Sequence, residues 1–159
     1  NKGAYHCYIR FPRMLYQHGL SGYEQEKILI QLDTEAQQYE FTPEVVLLQR
    51  FETAVRIYVT PLPTLLSQKC YAILNRPRNK GRDFFDVVFL LGRGVKPDYR
   101  YLAQKTGIDT ADELKERLLA HCAQLDMDDM AKDVEPFLFY SGDRNKIILF
   151  PDILRQAVL

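Results

Sequence analysis

Apolar and polar positions alternate at a period of two through much of residues 5–60, and from Pro63 onward the apolar positions recur at helical spacing. In "YHCYIRF", Tyr5, Cys7, Ile9 and Phe11 oppose His6, Tyr8 and Arg10, the signature of a half-buried strand. "KILIQLDTE" sets Ile28, Ile30 and Leu32 against Lys27, Leu29, Gln31 and Asp33, and "TAVRIYV" predicts a third strand burying Val55, Ile57 and Val59. Between the first two, "FPRMLYQHGLSG" reads as a short helix and turn closed by Gly19 and Gly22. Pro63 suits a first helical turn and Arg76 precedes Pro77, so a helix is predicted over 63–75. A second is predicted over 82–91, stopped by Gly92 and Gly94. "PDYRYLAQKTG" and "TADELKERLLAHCAQL" are amphipathic. The latter opens with a capping box, Thr110 and Glu113, ahead of a stripe of Leu114, Leu118, Cys122 and Leu125. The expected fold is α+β: a partial sheet of about three strands in residues 1–62, packed on a largely helical region, residues 63–159.

Composition narrows the class. The 159 residues suffice for one domain with a real core or for a large piece of a longer protein. Hydrophobic residues at 47% and charged residues at 26% fit a globular chain rather than a disordered one. Lysine and arginine balance aspartate and glutamate at 21 each, so attraction to phosphate must come from local clustering. No apolar run is long enough to span a bilayer, so no membrane role is expected, and no signal-peptide pattern opens the chain. Cys7, Cys70 and Cys122 lack CxxC spacing and read as free thiols of a reducing cytoplasm. The chain opens on Asn1 rather than Met, so an upstream segment is expected.

The chemistry concentrates in "LLSQKCYAILNRPRNKGRDFFDVVFLL", Leu65 to Leu91. Lys69 falls among Leu65, Leu66, Ala72 and Ile73 on the helical wheel. The next helix is apolar nearly all round, and its two acids, Asp83 and Asp86, share a face. Arg76, Arg78, Lys80 and Arg82 form a cationic loop feeding that helix's N-terminus, a place that attracts phosphate. Each feature alone has a plain explanation. Lys69 can lie along the stripe with its head in water, Asp83 can favour the positive end of its helix, and Asp86 can pair with Arg82. A buried charge without a partner costs several kcal/mol, so in combination these groups form either a salt-bridged core or a phosphate site.

The segment "LLSQKCYAILNRPRNKGRDFFDVVFLLGRG" resembles the hallmark of the AbiEii/AbiGii nucleotidyltransferase toxin family. There, a lysine-led helix with a downstream arginine is followed by "RD", two residues, "D" and an apolar tail. Lys69, Arg76, Arg82, Asp83 and Asp86 match in order, with a slightly longer loop before Arg82. The resemblance runs from about Phe11 to Gly94 and more loosely beyond. It implies the C-terminal region of a DNA polymerase β-like nucleotidyltransferase, which moves a nucleoside monophosphate from an NTP to an acceptor such as tRNA or another RNA. It also implies Mg²⁺, and a cognate antitoxin as partner. By this resemblance Lys69 contacts the triphosphate, Asp83 closes the site and orients Lys69 or the acceptor, and Arg76, Arg78, Lys80 and Arg82 surround the substrate. Asp86 and Arg82 brace the helix pair.

Two departures qualify it. The family's metal-binding GG[ST]…DxD motif does not occur, "LDMDD" lying late in a helical stretch. Gln31 stands where a later strand acid is expected, and Asp33, on the same face, is taken as its replacement. The chain is therefore expected to be inactive and to hold no cofactor by itself. His6, His18 and His121 have no metal-ligand spacing, and no Walker loop, GxGxxG or nucleophile triad is present. An alternative reading makes the chain a non-catalytic helical module that binds an antitoxin or another protein. The enzyme reading requires Lys69 and Asp83 to face an open cleft.

Overall fold

The computed structural model describes residues 4–36 and 38–159, which fall into two compact units, Asn1–Glu40 and Phe41–Leu159. The first is a β-hairpin. Strand β1 (Ala4–Pro12) runs antiparallel to β2 (Lys27–Glu35), and a one-turn helix, α1 (Met14–Gln17), occupies the connection. Cys7 faces Leu32, Ile9 faces Ile30 and Phe11 faces Ile28, so the two alternating patterns coincide on a single apolar face. That face stays between 39% and 48% exposed at Ile9, Phe11, Ile30 and Leu32. The opposite face is polar and sets His6 across from Asp33 and Tyr8 across from Gln31.

The second unit opens on another hairpin, β3 (Glu44–Arg50) with β4 (Thr53–Val59), joined through Phe51 and Glu52. Phe51 turns with a left-handed φ of 51° and is fully exposed. The described residues thus hold four strands in two separate antiparallel pairs, where about three strands of one sheet were expected. The extra strand, β3, carries four consecutive apolar residues, Val45 to Leu48, and such a run shows no period-two signal. Val55 and Ile57, expected in the core, are 43% and 37% exposed. Alternation along β4 does pick the less exposed face: Val46, Leu48, Val55 and Ile57 are 37–44% exposed against 58–78% for Val45, Leu47 and Tyr58 opposite, but within this unit neither face is fully buried.

Seven helices follow. They are α2 (Leu62–Asn75), α3 (Gly81–Gly92), α4 (Tyr99–Thr106), α5 (Ala111–Cys122), α6 (Met127–Val134), α7 (Asn145–Ile148) and α8 (Phe150–Gln156). Two 3₁₀ turns, Glu135–Phe137 and Ser141–Arg144, link α6 to α7. Their stripes converge on a core of Leu66, Ile73, Phe84, Val87, Leu102, Leu114, Leu118 and Leu154, with Phe84 and Phe150 edge to face at 5.0 Å. The caps fall where the local chemistry demands. Thr110 accepts the Glu113 amide, Asp98 caps α4, and Gly107 closes it with a φ of 78°. α3 lies so close to α6 that a Cβ on Gly81 would meet the Met130 carbonyl oxygen at 1.9 Å. Among the described residues no helix is long and apolar enough to cross a membrane.

Candidate functional site

The site is assembled where α2 and α3 pack. On α2, Leu66, Cys70 and Ile73 turn inward, and Lys69 emerges at the edge of that stripe with its side chain 24% exposed. Asp83, in the first turn of α3, is only 1% exposed. Its two oxygens are both engaged: Oδ1 accepts from Lys69 Nζ at 3.0 Å and Oδ2 from Arg76 Nη1 at 2.8 Å. Asp86, one turn further along α3, is 40% exposed and takes Lys69 Nζ at 2.7 Å. Lys69 therefore bridges two carboxylates and Asp83 bridges two cations, so the four charges balance. A carboxylate this deeply buried is tolerated because it is doubly paired, and it does not face the open cleft that the enzyme reading asks of Lys69 and Asp83 together; of the two, only Lys69 reaches solvent. Asp86 pairs with Lys69 and not with Arg82, since α2 supplies a closer cation than the preceding turn of its own helix.

The four cations of the loop do not act together. Arg76 caps the end of α2 in extended conformation and reaches Asp83. Lys80 instead lies 3.9 Å from Asp133 on α6, and Arg78 lines a cavity of about 670 Å³ with Asp129, Lys132 and Asp133. Arg82 is exposed and makes no ion pair among the described residues. Nor is the N-terminus of α3 open to phosphate in the manner expected. The Gly81 amide already donates to Asp133 Oδ2 at 3.0 Å. Asp133 and Asn79 are the polar residues that sequence reasoning missed. Asn79 donates to the Ile73 carbonyl at 2.6 Å and faces His121 Nε2 at 3.1 Å, tying the loop to α2 and α5. Separations of 52 and 42 residues leave no local signal for either contact.

Asp33 lies in the first unit, exposed on the polar face of the β1–β2 hairpin. His6 Nδ1 sits 2.6 Å from it and Gln31 Nε2 donates at 3.0 Å. The hydrogen bond from His6, then that from Gln31, holds its carboxyl below the ordinary carboxylate value. The acids of "LDMDD" serve α6: Asp126 caps it, Asp128 pairs with Arg144, and Asp129 pairs with Lys132. Burial pushes the Cys70 thiol up to about 12 and the Cys122 thiol up to about 11, so neither is a nucleophile at neutral pH.

The donor set does not fit Mg²⁺. No group of three or more His, Cys, Asp or Glu able to hold a metal ion occurs among the described residues. The most buried carboxylate, Asp83, has both oxygens taken by cations. A second cavity of about 530 Å³ between α2, α4 and α5, lined by Lys105, Arg117 and His121 among others, does not reach the α2–α3 cluster.

The cluster is balanced in charge, and what it offers an anion is the uncommitted donors of two anchored cations. Lys69 has three donors, two of them committed, and Arg76 keeps most of its guanidinium fork uncommitted and solvent-facing at 39% exposure. Comparison with known families gives a family model described as nucleotidyl transferase AbiEii toxin, type IV toxin–antitoxin system, matching residues 3–147. No curated protein and no solved structure matches the chain.

Proposed function

Because this chain belongs to the nucleotidyl transferase AbiEii toxin family of type IV toxin–antitoxin systems, we propose that its Lys69 and Arg76 receive the triphosphate of an NTP. An RNA acceptor hydroxyl, such as that of tRNA, then takes the nucleoside monophosphate at its α-phosphorus, releasing pyrophosphate and a proton, with an antitoxin as the cellular counterpart. One observation carries the reading: a single buried carboxylate anchors two cations, at 3.0 and 2.8 Å, and both side chains stay partly exposed, at 24% and 39%. Transfer at phosphorus asks the protein mainly for positioned positive charge, because charge spreads over the phosphate oxygens in the transition state. Lys69 supplies a compact ammonium and Arg76 a planar fork, a pairing suited to adjacent phosphates. Asp83 does not touch substrate in this reading; it is a positioning residue that removes the freedom of both cations before substrate arrives. Arg82 adds exposed positive charge at the start of α3, whereas Lys80 turns to Asp133 and Arg78 lines the neighbouring α6 cavity.

Nucleotide transfer by the natural gene product tests the assignment. Lys69→Ala is expected to lower the transfer rate about a hundredfold or more. Its Tm should change little, because Arg76 still neutralises Asp83. Asp83→Ala should lower both rate and stability, the latter by about 2 kcal/mol, since its partners are partly hydrated. If Lys69→Ala transfers nucleotide within about twofold of the unaltered protein, the cluster is a scaffold and the reading fails.

A further inference from the structure

Resting on that reading, we propose that Asp86 is an internal competitor for the polyphosphate: its carboxylate stands where a phosphate oxygen would bind Lys69, and it sets the affinity of the site. The two acids that share Lys69 are not equivalent. Asp83 is 1% exposed and held from a second side by Arg76, so separating it from Lys69 leaves charge buried. Asp86 is 40% exposed, has Lys69 as its only ion-pair partner among the described residues, and closes the contact at 2.7 Å from the solvent side. A partly exposed pair of this kind, 24% at Lys69 and 40% at Asp86, contributes little and yields more readily to an incoming anion than the buried contact to Asp83. A triphosphate approaching Lys69 therefore exchanges one weak carboxylate contact for a phosphate contact, while the contact to Asp83 persists and keeps the ammonium aimed outward. The same carboxylate lowers net positive charge at the mouth of the site, so singly charged anions gain too little to displace it. Asp86 thus favours polyphosphate over simple anions, a role distinct from bracing the helix pair.

The test is calorimetric titration of inorganic triphosphate, and separately of inorganic phosphate, into the purified chain. Asp86→Asn keeps the shape and removes the charge. It is expected to tighten triphosphate binding about three- to fivefold and to narrow the preference over phosphate. In a Lys69→Ala background the same change should have no effect, because the competition runs through Lys69. A purely bracing Asp86 would instead lower the Tm and leave the affinity unchanged or weaker. Equal affinity in the unaltered chain and Asp86→Asn overturns this inference and leaves the proposed function standing. Absence of triphosphate binding in both, with circular dichroism unchanged, overturns this inference, while the Lys69→Ala transfer assay on the natural gene product decides the proposed function.

Discussion

At the residue scale, what could be read from the chain was which charged residues an apolar stripe must pair, and what could not be read was which partner each would take. Lys69, Asp83 and Asp86 stood out because charge inside an apolar stripe is costly, and the structure brings all three together with Arg76. Lys80 stood out by the same clustering and went elsewhere, to Asp133 on α6, while Arg78 lines a cavity with the α6 acids and, among the described residues, joins no ion pair with the cluster. Clustering along the sequence records charge density and carries no direction. The His6–Asp33 pair permits a pH prediction. A carboxylate whose folded-state pKa is depressed adds stability above its unfolded value, and that contribution is lost as pH falls through the folded pKa. Asp33 is accordingly expected to titrate below 3.8, and His6→Ala should move it back up toward that value. Carboxyl carbon chemical shifts followed through an acid titration measure both. An unmoved midpoint in His6→Ala would show that the 2.6 Å contact does not hold Asp33 ionised.

At the element scale, helices with a strong stripe and a cap were legible, and strands without alternation were not. α5 follows its capping box and stripe closely, with Leu114, Leu118 and Cys122 buried in sequence. The boundaries of α2 and α3 fell within one residue of those read from Pro63, Pro77 and Gly92. β3 escaped because its apolar run fits a buried strand or a helix segment equally well. The approach of α3 to α6 was invisible for another reason: nothing around Gly81 distinguishes a glycine needed for contact from one that merely ends a loop. The structure makes that glycine a structural requirement, since the neighbour is the Met130 backbone carbonyl rather than a movable side chain. Gly81→Ala should destabilise the fold by about 2 kcal/mol or more, through overpacking and loss of the Asp133 contact. Chemical denaturation would read the loss as a lower midpoint at unchanged slope. A midpoint matching the unaltered chain would mean that the two helices do not meet so closely.

At the scale of the whole molecule, the chain divides at Glu40 into a hairpin unit and a unit whose core is helical, whereas strand-rich and helical textures change near residue 62. Compactness follows contacts, and the β3–β4 hairpin groups with the helices although its texture resembles the first unit. Glu40 is exposed at that boundary, outside any helix or strand. Brief digestion with a glutamate-specific protease is expected to cut there early and to release a fragment from Phe41 that keeps its helical circular dichroism. Early cleavage within α5 at Glu113 or Glu116 instead would show that the helical core is not the stable body described here. Balanced overall charge fits this picture: with no net field, anion recognition depends on a few anchored cations.

The sequence by itself determined the α+β class, the helical stripes and their caps, and the identity of the charged residues that a buried environment must pair. These follow from periodicity and from the cost of isolated charge, both of which act over a few residues. Tertiary structure alone decided that one carboxylate would anchor Lys69 and Arg76 together, that Asp86 would pair with Lys69 rather than Arg82, and that Asp133 would close the helix end expected to hold phosphate. The reason is geometric: a charge pairs with whichever opposite charge the packing of helices brings nearest, and that distance is not written along the chain.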